Sequence, residues 1–242
     1  MNRSALIIGS PDADIPGVKQ DMVAYRQHFE SQLGGAWYPH EIETLESPGD
    51  LVVRQKLEMM KKADYSVVVF AGHGSHPTRT GTTKVLLRPG VEMDVNILKL
   101  GAPKHTLIVD CCRKLNRQII LDSVMAKSAS FSEARSMVDY RRYFDLAVQN
   151  CSTGLVTLFS CDIDETAQDL STGGLYSVEL LAYARQWEEQ RNRGSGESHR
   201  VLQIPDAHEA AKVKVIIASG GRQTPQIEKP RSSPYFPFAI SA

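Results

Sequence analysis

The sequence of 242 residues has no apolar stretch near the roughly 20 residues that a membrane-spanning helix requires. Its start, MNRSALIIGS, holds one arginine and too short an apolar run for a secretory signal. Neither sign of charge is in excess. With 28 basic and 28 acidic residues, nothing draws the whole chain toward nucleic acid or an anionic membrane. Cysteine is scarce, and Cys111, Cys112, Cys151 and Cys161 do not make a disulfide framework in a chain this long. None of them forms a Cys-x-x-Cys redox pair or has the spacing of about two to four residues used by structural zinc sites. Internal repeats and low-complexity tracts are also missing. These absences point to the reducing cytoplasm and to one domain over 1–242, whose 42% hydrophobic content suffices for a core without staples.

Strand-like and helix-like segments alternate along the chain. Ser4 to Gly9, Tyr65 to Phe70, Thr106 to Val109 and Gly154 to Phe159 read as buried strands, and Trp37 to Leu45 as a further strand. Apolar residues at 18, 22, 25, 29 and 33 mark a helix that Gly34-Gly35 stops. Pro48 to about Lys62, Val95 to Leu100, Gly174 to Glu189 and Asp206 to Ala218 complete the helices. Continuous β-branched runs between helices imply an α/β fold with a mainly parallel sheet covered on both faces. Residues 113–143 read as a mobile segment and 190–200 as a surface loop.

In such sheets chemistry gathers beyond the carboxyl ends of the strands. Three unusual clusters sit there: Gly72-His73-Gly74, Asp110-Cys111-Cys112 and Cys161-Asp162-Ile163-Asp164. A thiol becomes a competent nucleophile when an imidazole takes its proton, so His73 with one of the two adjacent cysteines could form a dyad. Glycines beside His73 would let backbone approach a substrate and leave the Gly74 N–H for an oxyanion. Taken singly, His73 could be an ordinary strand-end histidine and each cysteine a buried hydrophobe. A metal or redox module is disfavoured by the spacing.

The order strand–GHG, strand–Asp-x-Cys, strand–acidic loop and Gly-Gly-aromatic helix resembles the caspase-like cysteine peptidases, above all their metacaspase and orthocaspase branch. The matching segments are ALIIG at 5–9, GVKQD at 17–21, FAGHG at 70–74, DCC at 110–112, SCDIDET at 160–166 and GGLY at 173–176, and the resemblance runs from residue 4 to about 240. It implies the caspase–haemoglobinase three-layer sandwich, a mostly parallel six-stranded sheet between helices. It also implies that Cys112 is the nucleophile, Cys111 a filler position, His73 the base, and the N–H groups of Gly74 and Cys112 the oxyanion hole. Asp110 and Asp21 would bind a P1 arginine or lysine, with Asp162 and Asp164 as further substrate-binding candidates. Two carboxylates at the end of one pocket repel, and a guanidinium relieves that repulsion.

The sequence departs from that branch at Arg113, Val18 and Ala71, and residues 74–81 lack the acidic run of calcium-binding members. No cofactor or metal is therefore expected, and calcium activation is in doubt. The resemblance further suggests processing at Lys127, Arg135, Arg141 or Arg142, a protein substrate, a regulatory protein partner, and an effector role in bacterial defence or cell death. The alternative is a catalytically silent homologue that serves as a scaffold.

Overall fold

The computed structural model describes residues 1–115, 137–191 and 199–241. The chain opens with β1 (Arg3–Ser10), α1 (Val18–Glu30), a 3₁₀ turn (Pro39–Glu41), β2 (Ile42–Glu46) and α2 (Asp50–Met60). Next come β3 (Tyr65–Gly72), β4 (Gly74–Ser75), β5 (Lys84–Arg88), β6 (Val91–Asp94), α3 (Val95–Leu98) and β7 (Lys104–Asp110). The rest comprises α4 (Met137–Gln149), β8 (Gly154–Phe159), β9 (Asp169–Leu170), β10 (Gly173–Gly174) and α5 (Leu175–Arg191), then β11 (Arg200–Gln203), α6 (Ile204–Ala218), β12 (Gln226–Glu228) and β13 (Pro237–Ser241). No helix among the described residues is long and apolar enough to cross a membrane.

Six strands form the central sheet in the order β12-β8-β7-β3-β1-β2, and every pair is parallel except β12 with β8. This is the mostly parallel α/β sheet expected from the buried runs. Side chains alternate along each strand and so feed two cores. Ala5, Ile7, Val67, Val69, Ala71, Ile108 and Leu158 face a large core with Met22, Tyr25 and Phe29 of α1 and Leu180 of α5. Leu6, Ile8, Val68, Phe70, Leu107 and Val109 face the other side, against Val53 and Leu57 of α2 and the β5–β6 hairpin.

Several boundaries differ from the sequence reading. Helix α1 stops at Glu30 because Ser31 turns to extended backbone, its N–H bonding the Gln27 and His28 carbonyls. The strand expected from Trp37 begins only at Ile42, since Pro39 sets a 3₁₀ turn first. Trp37 instead plugs the core, donating its indole N–H to the Gly34 carbonyl. The β5–β6 hairpin escaped notice because its strands are short and only partly buried. The segment read as mobile is in part regular: 137–143 belong to α4.

Arg3 ties α4 to the amino end of the sheet. Its guanidinium is buried, paired with Asp145, and donates to the carbonyls of Gly35 (2.8 Å) and Arg141 (2.9 Å). It also lies over the rings of Phe144 and Trp37, at 4.5 and 5.2 Å. Removing one member of such a buried set strands the others, so Arg3→Ala should lose about 3 kcal/mol, read from the urea midpoint. An unchanged midpoint would show that the anchor contributes nothing.

Candidate active site

Strands β3 and β7 are paired with Ala71 opposite Asp110, so His73 and Cys112, each two residues further on, leave the sheet at the same height. Alternation then separates the two thiols. Leu107, Val109 and Cys111 share one core, while Ile108 faces the other, putting Asp110 and Cys112 on the α1 side. Cys111 is 2% exposed and packs so tightly on Gly74 that a β-carbon there would sit 2.4 Å from its sulfur. Only glycine fits at 74. The Cys112 thiol, half-buried, faces the loop after β8 and donates to the Ala167 carbonyl at 3.6 Å. Burial and the nearby Asp110 push this thiol above its ordinary value. A thiol raised in this way becomes a nucleophile only when a base takes its proton.

His73 continues the Val67-Val69-Ala71 side of β3, the side of Asp110 and Cys112. Its Nε2 lies 2.7 Å from Asp12 Oδ2 in the β1–α1 loop. With Nε2–H donated to that carboxylate, Nδ1 is the nitrogen with a free lone pair. Asp12 is itself fixed, its Oδ1 accepting from the N–H groups of Asp14 (2.9 Å) and Ile15 (3.2 Å). The sequence reading missed Asp12, which sits in a stretch that looks like an ordinary turn. Beyond His73, the Leu86 N–H bonds the His73 carbonyl while Gly74 pairs with Val85, a register that directs the Gly74 N–H away from β5.

Below the thiol lie acids. Asp110 accepts from Ser177 Oγ (2.6 Å) and Ser177 N–H (3.2 Å), and Ser177 Oγ in turn receives the Tyr25 hydroxyl at 3.1 Å. Asp21, on the buried face of α1, accepts from Gly174 N–H at 2.9 Å. Burial pushes both carboxyls up, and at Asp21 the neighbouring Asp110 adds to the rise. Backbone at 173–174 lies directly on the two groups: a β-carbon would come within 2.3 Å of Asp21 at Gly173 and 2.4 Å of Asp110 at Gly174. A third acid, Asp169, accepts from Gly17 N–H at 3.0 Å, and burial raises it to about 6. No sequence signal singles out Asp169; only the β9–β10 turn brings it beside α1.

Other candidates stand elsewhere. Asp162 accepts from Ile163 N–H (2.7 Å) and Gln226 Nε2 (3.1 Å), and Asp164 from Leu115 N–H at 3.3 Å. These carboxylates brace the loop after β8, apart from the group formed by Asp21, Asp110 and Asp169. Arg141 forms a two-pronged pair with Glu41 at 2.8 and 2.7 Å, inside α4, and Arg142 follows it in the same helix. Lys127 and Arg135 lie outside the described residues. Arg113, an odd residue for this position, is a buried anchor. It stacks on Phe159 at 4.1 Å, donates to Thr83 and the Cys161 carbonyl, and exchanges backbone bonds with Glu165 and Asp164. A surface hollow of about 420 Å³ lined by Tyr38, Arg141 and Leu146 lies at the amino end of the sheet, away from the thiol.

Comparison with known proteins identifies the family and matches the fold. A family model described as the caspase domain matches residues 2–236, and the chain belongs to this family of cysteine peptidases. Among solved structures, caspase-1 from Spodoptera frugiperda is 13% identical, with a TM-score of 0.57 over 94% of this chain and 86% of that one. A protein from Geobacter sulfurreducens is 14% identical over the whole of both chains, also with a TM-score of 0.57. The Drosophila initiator caspase Dronc is 12% identical with a TM-score of 0.54, covering 98% of this chain and 81% of that one. No curated protein sequence matches.

Because the two thiols occupy opposite faces, they should respond differently to removal. With Cys112 as the proposed nucleophile, Cys112→Ala should lower peptide cleavage by more than about 1000-fold. Cys111→Ala should keep most activity and lose stability through the cavity left in the core. Equal loss of activity in the two variants would contradict this assignment.

Proposed function

We propose that the protein is a cysteine endopeptidase that cleaves after arginine or lysine. What supports the basic specificity is the group Asp21, Asp110 and Asp169, held on the sheet face that carries Cys112 and His73. Buried acids that repel one another resist ionising, and a P1 guanidinium would favour their charged form by pairing with the carboxylates. A neutral or acidic side chain offers no such relief and would be rejected.

In this reading Cys112 Sγ attacks the scissile carbonyl while His73 Nδ1 takes the thiol proton. The Gly74 and Cys112 N–H groups hold the oxyanion. His73 then gives the proton to the leaving amine, and a thioester remains on Cys112. Water, deprotonated by His73, hydrolyses it and restores the thiol. Asp12 would orient the imidazole through its contact with Nε2. No step calls for a cofactor. Four free thiols suit the cytoplasm, and restraint by a regulatory protein partner is the control we assign to an effector of defence or cell death.

A peptide library tests the specificity: cleavage should follow arginine and lysine, fall at least about 100-fold with Asp110→Ala, and fall less with Asp21→Ala. Efficient cleavage after aspartate would refute it. The acids also set a pH dependence. Below about 6 Asp169 is protonated and attracts a cation weakly; above it the carboxylate is charged. KM for an arginyl peptide should therefore fall as pH rises from about 5 to 7, and Asp169→Asn should flatten that fall. A KM that rises over the same range would contradict the role given to Asp169.

A further inference from the structure

We propose that Gln223, in the turn after α6, is a positioning residue for Cys112: its side-chain amide fixes the peptide group whose carbonyl meets the thiol. The Cys112 thiol donates to the Ala167 carbonyl at 3.6 Å. That carbonyl and the Gln168 N–H belong to one peptide group, which is planar and trans and so directs the two in opposite directions. On the far side, the Gln168 N–H donates to Gln223 Oε1 at 3.0 Å. The Gln223 amide and the Cys112 thiol therefore meet the same plane at opposite edges.

The other end of the amide is anchored to the sheet. Gln223 Nε2 donates to the Ser160 carbonyl at 2.9 Å, and the Ser160 N–H bonds the Val109 carbonyl of β7 at 2.9 Å. An acceptor is needed toward Gln168 and a donor toward Ser160, which an amide supplies and a carboxylate does not. Gln223 is wholly buried, so water cannot stand in for it. Its own N–H is held by Ser219 Oγ at 3.1 Å, at the end of α6. Thr224 extends the hold. Its N–H and hydroxyl donate to the Glu165 carboxylate at 2.6 and 3.0 Å, and the Glu165 carbonyl accepts the Arg113 N–H at 3.0 Å. One turn thus fixes the peptide that faces the thiol and, through Glu165, the one that follows it in the chain.

For attack, the sulfur must stand within reach of both a scissile carbonyl and the His73 ring, and a displacement of about 1 Å in such groups costs on the order of 100-fold in rate. Without Gln223, the buried Gln168 N–H and Ser160 carbonyl lose their partners, and the 167–168 peptide turns to find others. The thiol then loses the acceptor that holds its side-chain rotamer. Asp21 and Asp110 are held by Gly174 and Ser177 and stay in place, so the loss falls on kcat. This catalytic consequence rests on Cys112 being the nucleophile of the proposed peptidase; the hold on the 167–168 peptide does not.

Gln223→Leu and Gln223→Glu in the full-length protein separate the two, each assayed well below its unfolding temperature. Hydrogen exchange read by mass spectrometry should show the Gln168 amide of Gln223→Leu exchanging at least about tenfold faster, while the β7 amides keep their protection. With an arginyl peptide amide, kcat should fall about tenfold or more and KM should move by less than about threefold. In Gln223→Glu a protonated carboxyl restores the donor to Ser160 and an ionised one does not. The ratio of its kcat to that of the unaltered protein should therefore climb as pH falls from about 8 to 6. Faster exchange at Gln168 with unchanged or raised kcat would overturn the positioning role, and unchanged exchange would overturn the hold itself. Equal losses of kcat in the two variants at every pH would assign Gln223 to stability alone. An unaltered protein without peptidase activity, whose Gln168 amide still depends on Gln223, would keep the hold and remove the peptidase reading instead.

Discussion

Seven residue pairs hold β3 against β7, from Tyr65 opposite Lys104 to Ala71 opposite Asp110. A shift of one residue in that register would turn every following side chain to the other face. His73 would then point at the α2 side of the sheet while Cys112 stayed on the α1 side, and the proposed dyad could not form. The register is pinned by burial on both faces: Val67, Val69 and Ile108 belong to one core, Val68, Phe70, Leu107 and Val109 to the other. Hydrophobic patterning along two strands thus sets the height and the facing of the reacting groups.

The same constraint explains why so much charge is tolerated beneath the thiol. Asp110 follows Ile108 on the α1 face, where α1 brings Asp21 and the β9–β10 turn brings Asp169. Burying carboxyl groups without partners would cost several kcal/mol each in ionised form, so they take up hydrogen bonds and release their protons less readily than in water. Ser177, itself held by Tyr25, serves Asp110, and backbone N–H groups of Gly174 and Gly17 serve Asp21 and Asp169. Glycines at 173 and 174 are needed for the close approach this demands.

Much of this could be read from the sequence because strands buried on both faces announce themselves as unbroken apolar runs, and their abrupt ends mark where chemistry collects. Asp110, His73 and Cys112 stand at such ends. Asp12 and Asp169 do not: they lie in loops whose positions depend on packing of distant segments, and no local pattern encodes that. Asp162 and Asp164 stand at a strand end too, and the hydrogen bonds that their carboxylates accept from Ile163, Gln226 and Leu115 were not legible in the sequence, since two of these partners lie far along the chain. Short strands such as β5 and β6 were invisible for a related reason, since a few half-buried residues carry too little periodicity to separate strand from loop.

The central claim is that Cys112, and not its neighbour, reacts with substrates carrying a basic P1 residue. Its most direct measurement is covalent labelling with a peptidyl-arginine acyloxymethyl ketone, followed by mass mapping of the adduct. The account predicts one label per chain, on Cys112, and little labelling by the matching aspartyl reagent. An adduct on Cys111, or equal labelling by both reagents, would contradict it.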